Sequence, residues 1–287
     1  TYPVLTSHLV ARTLHKGSQL PWVADFRDPL QCHYNQSYQE YNWAMRFMEK
    51  RIVKSATKVC TVTQEAASLY QQIYPLEPAN KFTVIENGFV PFEQQTDKTA
   101  DPRFVLLYSG ALYGAVRDIK GIFRAISHLK AKGIINNQNF VLRFRGSGSA
   151  EPHLETIQEL GIFDLVDFCP AVPFEQSIIE MQSSGANLLI QDQLFRYQIP
   201  SKLYDYIQTE RPILAICPDN TATANRCKVI PNCLLAWQDE EIAIALTKLL
   251  HTTNFPQLDK KTLLSFSRRA RAAELDKLLQ QLIKPAA

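Results

Sequence analysis

The 287-residue sequence lacks any apolar run that approaches the ~20 residues a helix needs to cross a bilayer. No signal peptide is visible either. The six cysteines include no CxxC pair, and several lie in apolar runs, where a free cysteine behaves as a small apolar side chain. These absences favour a cytoplasmic protein with reduced thiols, in contact with the inner face of a membrane at most weakly and peripherally.

The sequence also has only a small net charge and lacks several common catalytic motifs. The formal net charge is only +3, and no dense block of lysine and arginine suggests a nucleic acid partner. The six histidines are scattered without the HxxxH spacing of a zinc site. Neither a GxSxG nucleophile elbow nor a P-loop lysine occurs. We therefore expect no metal site and no nucleic acid binding.

What the sequence does contain is an alternation of short apolar segments with amphipathic ones, which is typical of a parallel sheet covered by helices on both faces. The predicted strands are Trp22–Phe26, Lys58–Val62, Phe82–Ile85, Phe104–Tyr108, Phe140–Phe144, Val166–Cys169, Asn187–Ile190, Ile213–Cys217 and Cys233–Trp237. The clearest predicted helices are Tyr38–Ser55, Gln64–Ile73, Ile119–Lys132, Glu151–Leu160, Phe174–Ser183, Pro200–Gln208, Glu240–Leu250 and Thr262–Ile283.

One polar stretch, residues 90–104, interrupts this alternation and has the composition of a linker. We therefore predict an α/β protein with two Rossmann-like, doubly wound parallel-sheet domains, of which the first is incomplete. The first covers residues 1–97 and the second, with six strands, covers residues 98–261. Residues 262–287 form a terminal helical segment. Ligands of such sheets bind at the carboxyl ends of the strands, so the loops there hold the candidate sites.

The stretch "IPSKLYDYIQTERPILAI" turns from a helix to a strand within eighteen residues. Pro200 and Ser201 suit the first turn of a helix, and Lys202 and Asp205 lie on a different face from the apolar residues. An exposed helix start beside a lysine is a place where a phosphate can bind. An ordinary connection between a helix and a strand has the same spacing, and the stretch alone does not separate the two interpretations.

Two loops that follow predicted strands combine glycine with positive charge. In "SGALYGAVRDIKG", Gly110 allows close approach of the backbone to a ligand, while Arg117 and Lys120 bring cations to the next helix. In "RFRGSGSAEPH", Gly146 repeats this arrangement at another strand end. Both loops suit a diphosphate, and a tight turn between a strand and a helix is the alternative interpretation of each.

Charged residues also cluster near the amino terminus. The stretch "WVADFRDPL" places Asp25, Arg27 and Asp28 at the end of a buried strand. Such a cluster either forms local ion pairs or faces a cleft, where the carboxylates can act as acid and base or hold hydroxyl groups. Further on, the helix containing Trp43 carries several lysines and arginines, so it either contacts a membrane surface or faces solvent, with Glu40 and Glu49 diluting its charge.

Taken in this order, the motifs resemble those of the group 1 (family 4) glycosyltransferases, which have the GT-B architecture of two facing Rossmann-like domains. The resemblance spans essentially the whole chain. It is carried by "PWVADFRDP", "IENGF", "LLYSGALYGAVRDIKGIFRAI", "LRFRGSGS", "VDFCPAVPFEQSIIEMQSSGANLLI" and "IPSKLYDYIQTERPILAI". It implies transfer of a sugar from a UDP- or GDP-linked donor to a saccharide or lipid-linked acceptor, with retention of configuration and without a metal or other cofactor. It also implies that the terminal helix packs back toward the first domain.

The resemblance implies roles for individual residues. Arg117, together with Lys120 or Lys202, matches the cations that neutralise the donor diphosphate, and Ser201 lies where helix-terminal amides meet it. Asp205 falls where relatives hold the ribose hydroxyls. The other donor-binding residues are Gly110 and Gly146 in the cleft and Ala171, Val172 and Pro173 beside the base. The catalytic candidates are Arg117, Lys202, Asp25 and Asp28.

Three departures from the family pattern keep other functions open. Tyr197 and Asp205 stand where many relatives have two glutamates, and Arg27 stands where many have a histidine facing the sugar. Relatives also have a longer segment before the equivalent of Thr1, so we expect this chain to lack part of its first domain. The alternatives are a nucleotide-sugar-binding module without catalysis and a sugar-nucleotide epimerase of the same fold.

Overall fold

A computed structural model describes residues 5–29, 43–92, 101–112 and 118–283. The strands are β1 (Val23–Arg27), β2 (Lys58–Thr61), β3 (Phe82–Val84), β4 (Phe104–Ser109), β5 (Phe140–Arg145), β6 (Val166–Cys169), β7 (Ala186–Ile190), β8 (Ile213–Ile216) and β9 (Cys233–Ala236). The helices are α1 (Leu5–Ser18), α2 (Trp43–Ser55), α3 (Gln64–Ile73), α4 (Lys120–Ala131), α5 (Glu151–Glu159), α6 (Phe174–Ser183), α7 (Ser201–Ile207), α8 (Ala222–Cys227), α9 (Asp239–His251), α10 (Lys260–Ser265) and α11 (Arg268–Ile283).

The chain divides into two compact units. Unit 1 comprises Thr1–Val90, Leu194–Ile199 and Leu264–Ala287, and unit 2 comprises Pro91–Gln193 and Pro200–Leu263. The predicted boundary near residue 97 falls among residues 93–100, which lie outside the described residues. The short segment Leu194–Ile199 belongs to unit 1, whereas the sequence assigns it to the second domain. Within unit 1, the Thr63 hydroxyl donates a hydrogen bond of 2.7 Å to the Tyr197 carbonyl of this segment.

Unit 1 contains a small parallel sheet in the order β1-β2-β3. Its strands pair in register from Val23 with Lys58 and from Val59 with Phe82. Apolar side chains that alternate along β1, such as Ala24 and Phe26, pack with those of α2 and α3 into one core. This packing follows from the period of two along a strand, which points alternate side chains toward the helices.

Unit 2 contains six parallel strands in the order β6-β5-β4-β7-β8-β9. The central strands are buried on both faces; all five residues of β7 are buried. That burial explains why these strands read as continuous apolar runs in the sequence. The chain order reverses between β4 and β7, and a doubly wound sheet binds its ligands at this switch point, outside the carboxyl ends of the strands.

All nine predicted strands are present, and most predicted helices agree with the observed ones to within two residues. The described part of the predicted helix Tyr38–Ser55 begins at Trp43, and its earlier residues lie outside the described residues. Two helices, α1 and α8, were not predicted. Helix α8 is only six residues long and has four buried residues, so it offers no amphipathic pattern. None of the helices described is both long and apolar enough to span a bilayer.

The prediction of one continuous terminal helix, Thr262–Ile283, is wrong. The helix breaks between α10 and α11, where Ser267 forms a parallel bridge with Phe89. The Phe89 amide donates to the Phe266 carbonyl at 3.1 Å, and the Arg268 amide donates to the Phe89 carbonyl at 2.8 Å. Because these backbone groups bond to a distant segment, they cannot continue a helical ladder.

Candidate functional site

A pocket of about 320 Å³ lies at the carboxyl ends of β4 and β5, at the switch point of the unit 2 sheet. It brings together residues from four separate motifs of the sequence. Among its lining residues are six of the predicted donor-site residues: Gly110, Gly146, Ala171, Val172, Lys202 and Asp205. The pocket is of the size class that holds small ligands. We refer to it as the switch-point pocket.

Two glycines shape the strand ends at this pocket. Gly110 has φ +102° and Gly146 has φ +66°, backbone conformations that other residues adopt only with strain. The Gly110 amide donates to the Arg145 carbonyl at 2.8 Å, and the Gly146 amide donates to the Cys169 carbonyl at 2.9 Å. A Cβ added to Gly146 would lie 3.3 Å from Ala171. The glycines therefore hold the loops after β4, β5 and β6 close together.

Lys202 and Asp205 enter the same pocket from α7. The helix begins at Ser201, one residue after the predicted start at Pro200. Residues three apart share a face of a helix. The Lys202 ammonium lies 3.9 Å from the centroid of the Tyr108 ring, a distance at which a cation is attracted to the ring face. Tyr206 lies four residues after Lys202. The Ser109 amide donates a hydrogen bond of 3.1 Å to the Tyr206 hydroxyl. These contacts fix α7 against the end of β4.

The sequence reasoning missed an ion pair at this pocket. Arg145 lines the pocket, and its guanidinium donates two hydrogen bonds of 2.8 Å to the carboxylate of Glu180. Both side chains are largely buried, at 14% and 17% exposure. Arg145 also donates to the Pro170 carbonyl at 2.9 Å. The two arginines of β5, Arg143 and Arg145, were the available signal, and the partner of Arg145 lies 35 positions away.

Several predicted site residues do not line the switch-point pocket. Ser201 is exposed at the start of α7, and Pro173 is exposed just before α6. Lys120 is the exposed first residue of α4, where its charge adds to burial, the larger effect, in lowering the pKa of His153. Arg117 lies outside the described residues. The expectation that Arg117 lies close to Lys202 therefore stays a prediction.

A second, larger cavity in unit 2, of about 900 Å³, lies between α4 and α9. None of the predicted site residues that the structure describes lines this cavity. Apolar atoms make up most of its exposed lining surface, and two of its lining residues, Arg124 and Asp239, form an ion pair. Size alone therefore does not identify the site, and the switch-point pocket is the better candidate because polar groups from separate loops converge on it.

The charged cluster of unit 1 lies at a smaller pocket of about 260 Å³ at the carboxyl ends of β1 and β2. Asp25 and Arg27 line this pocket together with Glu86 and Asn87. Arg27 has φ +54°, which is unusual for a residue with a side chain. Its amide donates to the Asp25 carboxylate and its guanidinium donates to the Asn87 side chain, both at 3.2 Å. The cluster thus forms local hydrogen bonds and also lines a cavity.

Asp28 does not line that pocket, but its environment is unusual. Burial raises the pKa of Asp28 to about 6, with a further increase from Asp25 and an opposing decrease from Arg27. Removing a carboxylate from water disfavours its charged form, and this effect outweighs the nearby guanidinium. A carboxyl group that titrates near neutral pH can act as an acid or a base.

Comparison with known proteins places this architecture among glycosyltransferases of known structure. The lipopolysaccharide outer core galactosyltransferase WaaB, in its apo form, aligns over 97% of this chain and 73% of its own, with a TM-score of 0.66 and 15% identity. The lipopolysaccharide glycosyltransferase WaaG aligns over 96% and 81%, with a TM-score of 0.62 and 14% identity. The pneumococcal O-GlcNAc transferase GtfA, in complex with UDP and GlcNAc, aligns over 97% and 61%, with a TM-score of 0.60 and 11% identity.

No protein-family model matches the sequence, and no curated protein matches it significantly. The fold is therefore assigned through structure. The chain has the GT-B fold of Rossmann-like domains, with a small three-stranded sheet in the first and six strands in the second. This confirms the predicted fold class and the fold-level part of the resemblance.

Proposed function

We propose that the chain is a glycosyltransferase that moves a sugar from a nucleotide-linked donor to a saccharide or lipid-linked acceptor. One observation carries the proposal: six residues predicted to bind the donor meet in the switch-point pocket of a fold shared with glycosyltransferases. They come from four loops and helices that are distant in sequence. The fold alone brings these loops to one edge of the sheet, so the support comes from the types of residue that the loops carry there.

The chemistry demands stabilisation of a leaving diphosphate. Cleavage of the bond between the anomeric carbon and the phosphate develops negative charge on the nucleoside diphosphate. Cations and amides positioned in advance stabilise that charge without reorganisation. We assign this role to Lys202 in the pocket, with Arg117, Lys120 and the amides that begin at Ser201. In this proposal no metal ion is required, because the protein supplies the positive charge itself.

We assign the remaining pocket residues to the nucleoside. Asp205, one helical turn from Lys202, accepts hydrogen bonds from the ribose hydroxyls. The loop Ala171–Pro173 contacts the base, and Gly110 and Gly146 let the donor approach the backbone. A UDP- or GDP-linked donor is proposed, and the relative in complex with UDP supports the first. We also propose that the configuration of the sugar is retained.

We assign the acceptor to unit 1. The pocket there presents carboxylate and amide groups of Asp25, Glu86 and Asn87, which are suited to hold sugar hydroxyls. Asp28, with its raised pKa near 6, is the candidate acid or base beside them. Arg27, which stands where relatives have a histidine, contributes positive charge to the same cluster.

The decisive experiment is calorimetry of the chain with a panel of UDP- and GDP-sugars, combined with measurement of nucleoside diphosphate release. We expect one donor to bind and to be turned over, with and without a chelator. The variant Arg117→Ala should abolish turnover and leave the fold intact, as judged by circular dichroism. Unchanged turnover in that variant would defeat the assignment of Arg117.

The same measurements separate the alternatives. Binding without release of nucleoside diphosphate would indicate a nucleotide-sugar-binding module. Conversion of the donor to an isomer in the absence of any acceptor would indicate an epimerase. Absence of binding to every nucleotide sugar would refute the proposed function as a whole.

A further inference from the structure

Three cysteines lie in one segment of unit 2, which runs from β8 through α8 to β9. Cys217 follows β8, Cys227 is the last residue of α8, and Cys233 is the first residue of β9. All three carry free thiols. Cys217 and Cys227 are each 1% exposed, whereas Cys233 is only partly buried. Of the three, Cys233 is therefore the residue that solvent reaches.

The backbone between Cys227 and Cys233 folds back through two consecutive turns. The Ile230 amide donates to the Cys227 carbonyl, and the Cys233 amide donates to the Ile230 carbonyl, both at 3.0 Å. These turns bring the end of α8 to the start of β9. There the Cys227 thiol donates a hydrogen bond to the Cys233 sulfur. The two sulfur atoms are thus close enough to bond after a rotation of their side chains.

We propose that Cys227 and Cys233 form a reversible disulfide when a peroxide oxidises the chain. The Cys233 thiolate attacks one oxygen of hydrogen peroxide and becomes a sulfenic acid, while the hydroxide that leaves takes up the proton that Cys233 released. The Cys227 sulfur then attacks the Cys233 sulfur and displaces hydroxide, which the Cys227 thiol proton converts to water. Two thiols and one peroxide thus give one disulfide and two water molecules.

The environment of Cys227 determines the order of these steps. Its hydrogen bond to Cys233, and then its burial, raise the pKa of Cys227 well above the ordinary value, with the charge of Arg226 opposing them. Cys227 therefore keeps its proton at neutral pH, and a protonated thiol is a poor nucleophile toward peroxide. Cys233 consequently reacts first. The Cys227 proton already points at Cys233, where the second hydroxide leaves.

A disulfide fits this cluster better than a metal ion or a link to Cys217 does. Among the residues that the structure describes, no three His, Cys, Asp or Glu side chains are grouped so that they could hold a metal ion. The Cys217 thiol is hydrogen-bonded to Thr221, and burial raises its pKa to about 12. The proposed bond ties the end of α8 to β9, and it does not depend on the proposed transferase activity. In reducing compartments, such disulfides are usually transient and sense oxidants.

The test is oxidation of the folded, reduced chain with hydrogen peroxide, followed by mass spectrometry before and after alkylation of the remaining thiols. We expect the mass of the chain to fall by two hydrogen atoms and two fewer thiols to be alkylated, and dithiothreitol should reverse both changes. Trypsin cleaves after Arg226 and Lys228, so this disulfide joins residues 227–228 to residues 229–248. A cross-link to the peptide that contains Cys217, or no cross-link at any peroxide concentration that leaves the fold intact, would overturn the proposal.

Single variants separate the roles of the two thiols. Cys233→Ser should abolish the cross-link, whereas Cys227→Ser should leave at Cys233 a sulfenic acid that dimedone traps. Cys227→Ala replaces the latter variant if serine at this buried position prevents folding, which circular dichroism detects. Cys169→Ser removes another partly buried thiol of unit 2 and is the matched control, which should cross-link like the unmodified chain. A cross-link that survives in Cys233→Ser or is lost in Cys169→Ser would contradict the proposed pair, and absence of the dimedone adduct would contradict the proposed order of steps.

Discussion

Arg145 and Glu180 form a bidentate ion pair at the wall of the switch-point pocket, with two hydrogen bonds of 2.8 Å. The pair connects the end of β5 to α6, and a third hydrogen bond from Arg145 reaches the Pro170 carbonyl in the loop between β6 and α6. It therefore determines where the loop that we assign to the base, Ala171–Pro173, can lie.

Glu180→Gln should loosen this loop without removing any group assigned to the diphosphate. We expect a roughly tenfold higher KM for the donor with nearly unchanged kcat, since charged hydrogen bonds of this kind are worth about 1.5–3 kcal/mol. Steady-state kinetics measure the split. Glu175→Gln, an exposed glutamate on the same helix, is the control and should behave like the unmodified chain. A fall in kcat with no change in KM would contradict a positioning role.

Lys202→Met should reduce kcat by about 10²–10³, because it removes a cation assigned to the leaving diphosphate while retaining the aliphatic stem. The Nζ and Cε atoms of Lys202 lie beside Gly110, and Nζ lies over the Tyr108 ring, a position that the end of a methionine side chain can also occupy, so we expect the fold to survive. Single-turnover release of nucleoside diphosphate measures the effect. Lys132→Met, at an exposed lysine of the same unit, should leave the rate unchanged. Equal rates for the two variants would remove Lys202 from the mechanism.

Gly146→Ala should weaken donor binding more than its effect on stability explains. Gly146 and Gly133 both have positive φ, +66° and +70°, so alanine costs each position about 1 kcal/mol of stability. Only at Gly146 does the new Cβ meet another residue, Ala171 at 3.3 Å, whereas Gly133 has nothing within 4 Å. Thermal melts and donor titrations of both variants separate the two effects. Equal loss of binding in both would show that the contact with Ala171 is irrelevant.

Gly88→Ala should destabilise unit 1 by about 1–3 kcal/mol, as overpacked sites do. The added Cβ would lie 2.6 Å from the Phe266 carbonyl oxygen and 2.9 Å from the Arg268 amide nitrogen, both of which are backbone atoms. Gly17→Ala is the matched control. Gly17 has open space around it in α1, so alanine there should stabilise slightly. Chemical denaturation measures both, and a neutral Gly88→Ala would contradict the close approach of these segments.

Asp28→Asn should stabilise the chain above pH 6 but not at pH 4. The pKa of Asp28 is raised from 3.8 to about 6, so the folded chain binds this proton more tightly than the unfolded chain. Stability therefore falls as the pH rises from about 4 to 6, and the ionised, desolvated carboxylate remains costly above that range. We expect a gain on the order of 1–3 kcal/mol at pH 8. Denaturation at several pH values checks it, and a gain independent of pH would rule out titration as the cause.

Much of the fold and of the pocket could be predicted from the order of motifs. Parallel strands joined by helices place all their carboxyl ends at one edge of the sheet. Loops that followed separate strands in the sequence, such as those at Gly110 and Gly146, therefore had to meet. Periodicity also located the strands, because a strand buried on both faces appears as a short apolar run between helical segments.

The sequence by itself thus determined the strands and the edge at which the site forms, because both depend on local patterns and on the handedness of βαβ connections. Only the tertiary structure decided which distant side chains pair. Glu180 joins Arg145 across 35 positions, Tyr70 draws Glu49 into the core, and Phe89 interrupts the terminal helix at Ser267. In each case a residue forms a hydrogen bond with a partner that is distant in the sequence. No local pattern specifies such a partner.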